Sequence, residues 1–600
     1  MKKLLTVCLL AILYVTSAFA QSSVTVTVKD DVGPVPGASV LIKGTTTGEM
    51  TDIDGIAKLT AKDTDVLVVS FIGYRTVEVT VGTRAQINVT LEVDSEQLEE
   101  TVVVGYGQQK KASLTSAIST VKSEDITSTK QTNLVASLQG KVPGLQIRQR
   151  SGKPGAFDTD LSLRGFGEPL VIIDGVARTA TVRDEGQYQG YGYRTSGAAA
   201  LSQLNPDDIE SITVLKDASA AVYGLDAANG VILVTTKKGE IGKPSVNYSN
   251  NFSFGVPTAQ PKAVDLVTYM KKENEMRLNS KQGAKYSEEF IQHYIDGDEG
   301  YYETDWFDVV MRDYSFNMNH NLSVRGGNQQ TQYYLSGNFT EDKSILTKDN
   351  MNNNRLGFTG NVTSKITNEL TVSFQSALTY SLTQGMPMIT NQNIWYYTSN
   401  ADRTITPTVI GNPDHYSALP DSENRNPLAI TDRDAVGYQD AKNFTFRNNV
   451  DVKYEPKWLK GLQISASGAY DFTNNYQESL DKLLYVYDYM TDIQAGANAE
   501  ANAYSETWNR SQMLYGRVQA NYNRRFGDHN VGATIAAEAS KNMNSSINAS
   551  RKYGDFFTHD ILNAGDASTA TNGGSRSESA KAGYIVRASY DYKGMRRMVL

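Results

Sequence analysis

From residue 241 onward the chain divides into segments of about ten residues in which apolar and polar side chains alternate. Over 370–380, Leu370, Val372, Phe374, Leu378 and Tyr380 share one strand face, and Thr371, Ser373, Gln375 and Thr379 share the other. The same period recurs over 246–254, 316–324, 333–339, 356–362, 444–454, 462–472, 514–522, 531–539 and 584–592, and an eleventh strand is expected after Lys593-Gly594. A tilted strand crosses the bilayer core in about 9–11 residues. The connections separate a membrane barrel from a soluble sheet protein. Long stretches at 255–315, 381–443, 473–513 and 540–583 alternate with tight ones at 325–332, 363–369, 455–461 and 593–594; 340–355, on the long side, is modest. Short periplasmic turns alternating with long outer loops are the habit of outer-membrane barrels. An open sheet edge is untenable in lipid, and plugged barrels have about 22 strands, so this pattern is expected to be the first half of such a barrel.

Hydrophobic residues make up only 40% of the chain, as expected where alternate residues alone face lipid. The net charge of -8 argues against nucleic acid as a partner. The single cysteine, Cys8, leaves no disulfide or thiolate metal site in a chain that loses its leader. His293, His320, His415, His529 and His559 lie far apart and form no metal-binding or hydrolase motif. No metal, cofactor or catalytic residue is therefore expected.

Residues 1–20 read as a signal peptide: Lys2-Lys3, an apolar centre from Leu4 to Val15, and Ala18-Phe19-Ala20 before the cut. Residues 21–93 read as a small β-sandwich, opened by Val24, Val26 and Val28 alternating with polar residues. Asp52 and Asp54 sit in a turn rather than a calcium loop, because the remaining ligand positions are missing. Residues 94–108 form a linker containing the apolar run Thr101-Val102-Val103-Val104-Gly105-Tyr106-Gly107, with Glu99-Glu100 before it and Lys110-Lys111 after. A strand between two domains has unpaired edges that a partner can extend. Residues 109–240 read as an α+β unit. Within it, 134–147 is a short helix, a break and a strand; 161–165 and 169–176 are strand-and-turn units. In 205–239, a helix start at Asn205-Pro206-Asp207-Asp208 leads to a strand at 211–215, a short helix at 218–223, the Asn229-Gly230 turn and a strand at 231–236.

The stretch Glu99 to Lys111 and the long run NPDDIESITVLKDASAAVYGLDAANGVILVTTKKG resemble the SusC/RagA family of TonB-dependent outer-membrane transporters, and the resemblance covers essentially all 600 residues. Pro36 to Val40, Thr51 to Gly55 and Phe71 to Tyr74 resemble the carboxypeptidase-regulatory-like domain that such proteins carry in front. The resemblance implies an all-β-dominated protein: β-sandwich, TonB box at Thr101 to Gly107, α+β plug at 109–240, and barrel from 241 to 600. It implies that TonB, driven by the ExbB-ExbD motor, grips the box. It further implies a SusD-like surface lipoprotein as lid, a dimer of such pairs, and active import of an oligosaccharide or peptide. The location implied is the cell outer membrane of a Bacteroidetes-like organism, with lipid around the barrel and the N-terminal domain in the periplasm. Arg164, Asp174, Gly175, Lys216, Asp217, Tyr223, Gly224, Asn229 and Gly230 belong to the plug signature. Its charged members read as structural groups seating the plug in the barrel rather than as catalysts. Two departures stand out: Leu225-Asp226 where many members carry a small residue and Arg, and a short segment between Arg164 and Pro169.

Tyr188, Tyr191 and Tyr193 are candidate ligand contacts, and Trp395-Tyr396-Tyr397 and Tyr485-Tyr487-Tyr489 are candidate stacking groups for sugar rings, an aromatic girdle at the membrane interface, or ordinary loop packing. The rival readings are a siderophore or haem receptor without a lid, and a surface adhesin barrel, which has no need of a box or plug.

Overall fold

The computed structural model describes residues 22–30, 33–45, 47–71, 74, 76–92, 101–104, 107–110, 118–129, 133–183, 193–216, 220, 223–348, 351–387, 394–420, 424–499, 501–554, 559–592 and 596–599. The expected leader, together with Gly105, Tyr106, Tyr188, Tyr191 and Asp217, lies outside these residues.

The N-terminal unit is two packed sheets. One holds Ile56–Ala61, Ser22–Lys29 and Gln86–Thr90 in that order; the other holds Gly48–Met50, Ser39–Ile42, Val66–Ser70 and Val77–Thr80. Alternation decides which residues meet between them: Val24, Val26, Val28, Val40, Leu67 and Val69 are fully buried. Asp52 is a turn residue, its Oδ1 accepting from the amides of Asp54 at 3.0 Å and Ile56 at 2.8 Å.

The plug is built on a five-stranded sheet in the order Ile118–Lys122, Ile209–Leu215, Val231–Thr236, Leu170–Ile173, Val176–Ala177. Ile212, Val214 and Ile232 are buried beneath Leu134, Ala198 and Leu201 of two short helices, Leu134–Ser137 and Gly197–Ser202, and beneath Leu138, which caps the first. The strand expected at 231–236 is found with those bounds, and the helix start at Asn205 becomes a single 3-10 turn, Pro206–Asp208. The expected helix at 218–223 falls mostly outside the described residues, and a single turn follows at Leu225–Ala227.

The large sheet has eleven strands in sequence order, each antiparallel to the next: Gly242–Gly255, Ser315–Gly327, Thr331–Lys343, Asn352–Lys365, Leu370–Gly385, Gly437–Tyr454, Leu462–Asp481, Asn502–Phe526, His529–Tyr553, Thr571–Tyr592 and Arg596–Val599. Its polarity is the reverse of a soluble protein. Large apolar side chains such as Val246, Leu322, Leu335, Phe358, Phe374, Leu514 and Ile535 are exposed, whereas Asn321, Asn338, Asn361, Gln375, Asn449 and Asn521 on the opposite parity are buried. Polar groups line the inside and an apolar band faces out, as lipid requires. Among the described residues no helix is long and apolar enough to cross a membrane.

The strand ends correct two expected loops. The stretches 473–513 and 540–583 are largely strand: Asn502–Phe526 and His529–Tyr553 run 25 residues each, and only 482–501 and 554–570 connect. The apolar alternation spans only the part of a strand that lies in lipid. Beyond the band both faces are wet, so Asn, Ser, Glu and Lys continue the ladder without the signal that marks it.

Candidate functional site

The chemistry that matters is the seam where the plug meets the inner face of the sheet, and it is mostly polar, with one apolar patch where Val176 packs on Ala469 and Tyr515. The 3-10 turn Pro206–Asp208 aims the Asp208 carboxylate at the wall, where it accepts from Tyr334 Oη at 2.8 Å, Ser336 Oγ at 2.6 Å and Thr359 Oγ1 at 2.9 Å. Asn205, which caps the same turn, donates from Nδ2 to Asn321 Oδ1 at 3.0 Å. One segment of the plug thus uses its backbone to form a turn and its side chains to grip the second, third and fourth strands.

Arg178 makes the strongest contact. Its guanidinium forks onto Asp471 at 2.7 and 3.0 Å and donates to Asn449 Oδ1 at 2.7 Å. Arg178 is 5% exposed and the Asp471 side chain 15%, so the pair is desolvated and depends on its geometry. Gln203 accepts from Arg355 through its carbonyl and from Arg447 through its side chain, both at 3.3 Å. Asn361 Nδ2 donates to the Lys237 carbonyl at 2.5 Å, where the plug leads into the first strand. Between these contacts lies a cavity of about 70 Å³ lined by Arg178, Asp208, Arg355, Asn361, Arg447 and Asn449 among others. It is polar and roomy enough to admit water. Hydrogen bonds of this kind exchange with water at a net cost of about 1 kcal/mol each, so a wet polar seam parts more readily than an apolar one of equal area.

Sequence reasoning placed the seating charges elsewhere. Asp174 and Gly175 occupy a two-residue turn with φ 48° and 83°, and Asp174 accepts from Thr236 N at 3.0 Å and Oγ1 at 2.8 Å, inside the plug. The Gly175 carbonyl accepts from Arg517 at 3.4 Å. Lys216 is buried and donates to Ser119 Oγ at 3.0 Å and the Pro143 carbonyl at 2.6 Å, again within the plug. Arg164 is a turn residue with φ 54°, its amide donating to the Gly144 carbonyl at 2.7 Å. Tyr223 and Gly224 open the turn before Leu225–Ala227, the Tyr223 amide donating to the Ala220 carbonyl at 2.9 Å. Asn229 donates to the Glu168 carbonyl at 3.4 Å. The charge exchange noted at Asp226 has a partner: Lys581 of the tenth strand, at 2.5 Å. Arg178 and Gln203 carried no signal in the sequence, because nothing local distinguishes them from surface polar residues.

Gly230 has φ 96°, and a Cβ there would lie 2.4 Å from Leu163 Cδ2 and 3.0 Å from the Leu215 carbonyl oxygen. Gly230→Ala is therefore expected to destabilise the plug by about 1–3 kcal/mol, read as faster proteolysis of the plug with the barrel intact.

Of the box, Thr101–Val104 is a strand that pairs with Gly107–Lys110 in a two-stranded sheet, so one of the two edges expected to be unpaired is taken and one is left for a partner. Tyr193 begins the strand Tyr193–Ser196, which pairs with Ala180–Arg183.

On the long-loop side, segments 256–314 and 386–436 pack into one body around Asp402. Its Oδ2 accepts from Lys285 Nζ at 3.0 Å and Tyr286 Oη at 3.1 Å, and its Oδ1 from Thr404 N at 2.9 Å and Thr404 Oγ1 at 2.7 Å. Burial alone would raise the Asp402 pKa; the Thr404 amide and hydroxyl and the Lys285 ammonium outweigh it and hold the carboxyl below its ordinary value. A depressed carboxylate stabilises the loops above the unfolded value of about 3.9 and loses that contribution as pH falls through the folded value. Asp402→Asn is expected to loosen this body by about 1–3 kcal/mol at neutral pH, seen as loop proteolysis, and to remove the acid step. Trp395 is half exposed and stacks with Phe307 at 6.3 Å, while Tyr397 is buried among Leu346, Met351 and Ile430. Tyr487 lies flat on His415 at 3.8 Å. Among the described residues no group of three or more His, Cys, Asp or Glu side chains is placed to hold a metal ion.

Two family models match: the TonB-dependent Receptor Plug Domain over residues 110–231 and the CarboxypepD_reg-like domain over residues 25–104. The chain is 34% identical over 520 residues to the TonB-dependent receptor SusC of Bacteroides thetaiotaomicron, covering 79% of this chain and 48% of that protein. It is 30% identical over 516 residues to TonB-dependent receptor P26 of Formosa agariphila, covering 82% and 47%. It thus spans about half the length of the curated relatives it matches. The fold is similar to that of the RagAB peptide importer in its open-open state, with a TM-score of 0.65 at 19% identity over 82% of this chain and 55% of that one.

Proposed function

This chain belongs to the SusC/RagA type of TonB-dependent receptors, and on that premise we propose that it takes part in active import of an oligosaccharide or peptide across the outer membrane. The observation that carries the proposal is the seam: a folded plug fills the inside of an apolar-outward sheet and is held there by hydrogen bonds and the Arg178–Asp471 pair. A plug attached in that way blocks passage at rest and yields to a directed pull. The box Thr101 to Gly107 supplies the handle: TonB, energised by ExbB-ExbD, adds its own strand to Thr101–Val104 and draws on the plug. A SusD-like surface lipoprotein closes over the outer loops and presents the cargo to them. Arg164, Asp174, Gly175, Lys216, Asp217, Tyr223, Gly224, Asn229 and Gly230 maintain the plug's turns and strand ends. Tyr188, Tyr191 and Tyr193 contact the cargo. The protein carries out no chemical conversion, so the work is done by TonB-borne force.

The test is purification of the full-length protein from its native outer membrane in mild detergent, with mass spectrometry of what accompanies it. A stoichiometric surface lipoprotein with a bound oligosaccharide or peptide is expected. A lone barrel carrying an iron chelate would replace this reading with that of a siderophore receptor.

A further inference from the structure

Charge is sorted by strand face in the outward half of the sheet. The inward parity is set by the residues that reach the plug: Gln375, Asn449, Asp471, Arg517 and Lys581. Followed up the fifth to tenth strands, this parity contains no Asp, Glu, Lys or Arg within 377–383, 439–445, 473–479, 505–513, 540–550 or 571–579, where it carries Asn, Ser, Thr, Gln, Gly, Ala and Met; the next row outward, through Ala503, carries Asp481 and Lys552. The register aligns these positions into continuous rows, one of which runs Ser381, Asn443, Asn475, Asn509, Ser546, Ser575. Over the same stretch the outward parity carries Lys442, Glu478, Glu506, Arg510, Lys541 and Glu578, with ion pairs Lys442–Glu478 and Lys541–Glu578, each at 2.8 Å. Charges needed for solubility beyond the lipid band are thus kept off the inner wall between the plug and the row of Ala503.

We infer that this inner wall is a binding surface for an uncharged, hydroxyl-rich solute, a neutral oligosaccharide, and that it disfavours ionised cargo. The inference rests on the import reading and narrows its cargo. Asn, Ser and Thr offer both donors and acceptors to sugar hydroxyls at spacings repeated from strand to strand. An ionised ligand leaving bulk water needs a counter-charge, and the rows between the plug and the row of Ala503 supply none. Charged inner groups flank these rows: at plug level, where Arg178 and Lys581 meet Asp471 and Asp226, and at the outward strand ends, where Asp481 and Lys552 stand in the row of Ala503.

The test is retention by the full-length protein, purified with whatever accompanies it, of three matched probes: a neutral gluco-oligosaccharide, its uronate-bearing counterpart and its amine-bearing counterpart. The neutral probe is expected to be held about tenfold better than either charged one, with no change between about 50 and 500 mM salt. Equal or stronger retention of a charged probe, or none of the neutral one, would overturn the inference. Asn544→Asp on the inward parity is expected to raise retention of the amine-bearing probe about tenfold, and Ser545→Asp on the outward parity to leave it unchanged. Equal effects of the two would also overturn it. Uptake by cells, with and without Thr101 to Gly107, reads the import reading separately: neutral binding without box-dependent uptake would contradict import and leave the wall's selectivity standing.

Discussion

Deleting Thr101 to Gly107 from the full-length protein is expected to reduce energised uptake to background while folding and ligand binding stay at the parent level. Thr101–Val104 is extended and belongs to neither the five-stranded plug sheet nor the eleven-stranded one. The buried core of the plug is contributed by residues from Val121 to Val234, and the seam contacts by Arg178, Gln203, Asn205, Asp208 and Lys237. Removing the segment takes nothing from either set, so the resting plug keeps its contacts. What is lost is the edge to which a pulling strand can add. Uptake by cells, measured beside surface binding on the same cells, checks the expectation; parent-level uptake by the deletion would sink the proposed handle.

Arg178→Met is expected to unseat the plug. The substitution leaves the Asp471 carboxylate in a largely buried place without its bidentate partner, and breaking a buried ion pair on one side costs about 3–5 kcal/mol. Asn449 and the Ile173 carbonyl lose a donor as well. The strands keep their ladder, so the barrel should assemble while small antibiotics leak through it and the plug becomes protease-sensitive. Arg178→Met combined with Asp471→Leu removes both charges, and most of the loss should be recovered. A single substitution that leaves permeability unchanged would mean that Arg178 does not seat the plug.

The parts of this fold that were legible in the sequence are those where burial imposes a period. Val24, Val26 and Val28, the Val231–Thr236 strand and the lipid-facing rows all repeat every second residue because one face is apolar. The upper strand segments look like loops in the sequence because neither of their faces is apolar, and only the backbone ladder holds them. The seam was misplaced for a related reason. Asp174 and Lys216 drew attention as charges in a strong signature, yet they bond to Thr236, Ser119 and Pro143 within the plug. The seating contacts instead join residues 293 and 126 positions apart, Arg178 with Asp471 and Asp208 with Tyr334, and no local spacing reports such a pair. The sorting of charge onto outward parity was likewise hidden until the register fixed which parity faces in.

Import by this route requires that cargo bound at the outer face cross only under force. The direct measurement is the fate of labelled cargo already bound to cells bearing the full-length protein, followed with the inner-membrane proton gradient collapsed and then restored. Bound cargo is expected to stay accessible from outside while the gradient is absent and to enter when it returns. Entry at the same rate in both conditions would contradict it.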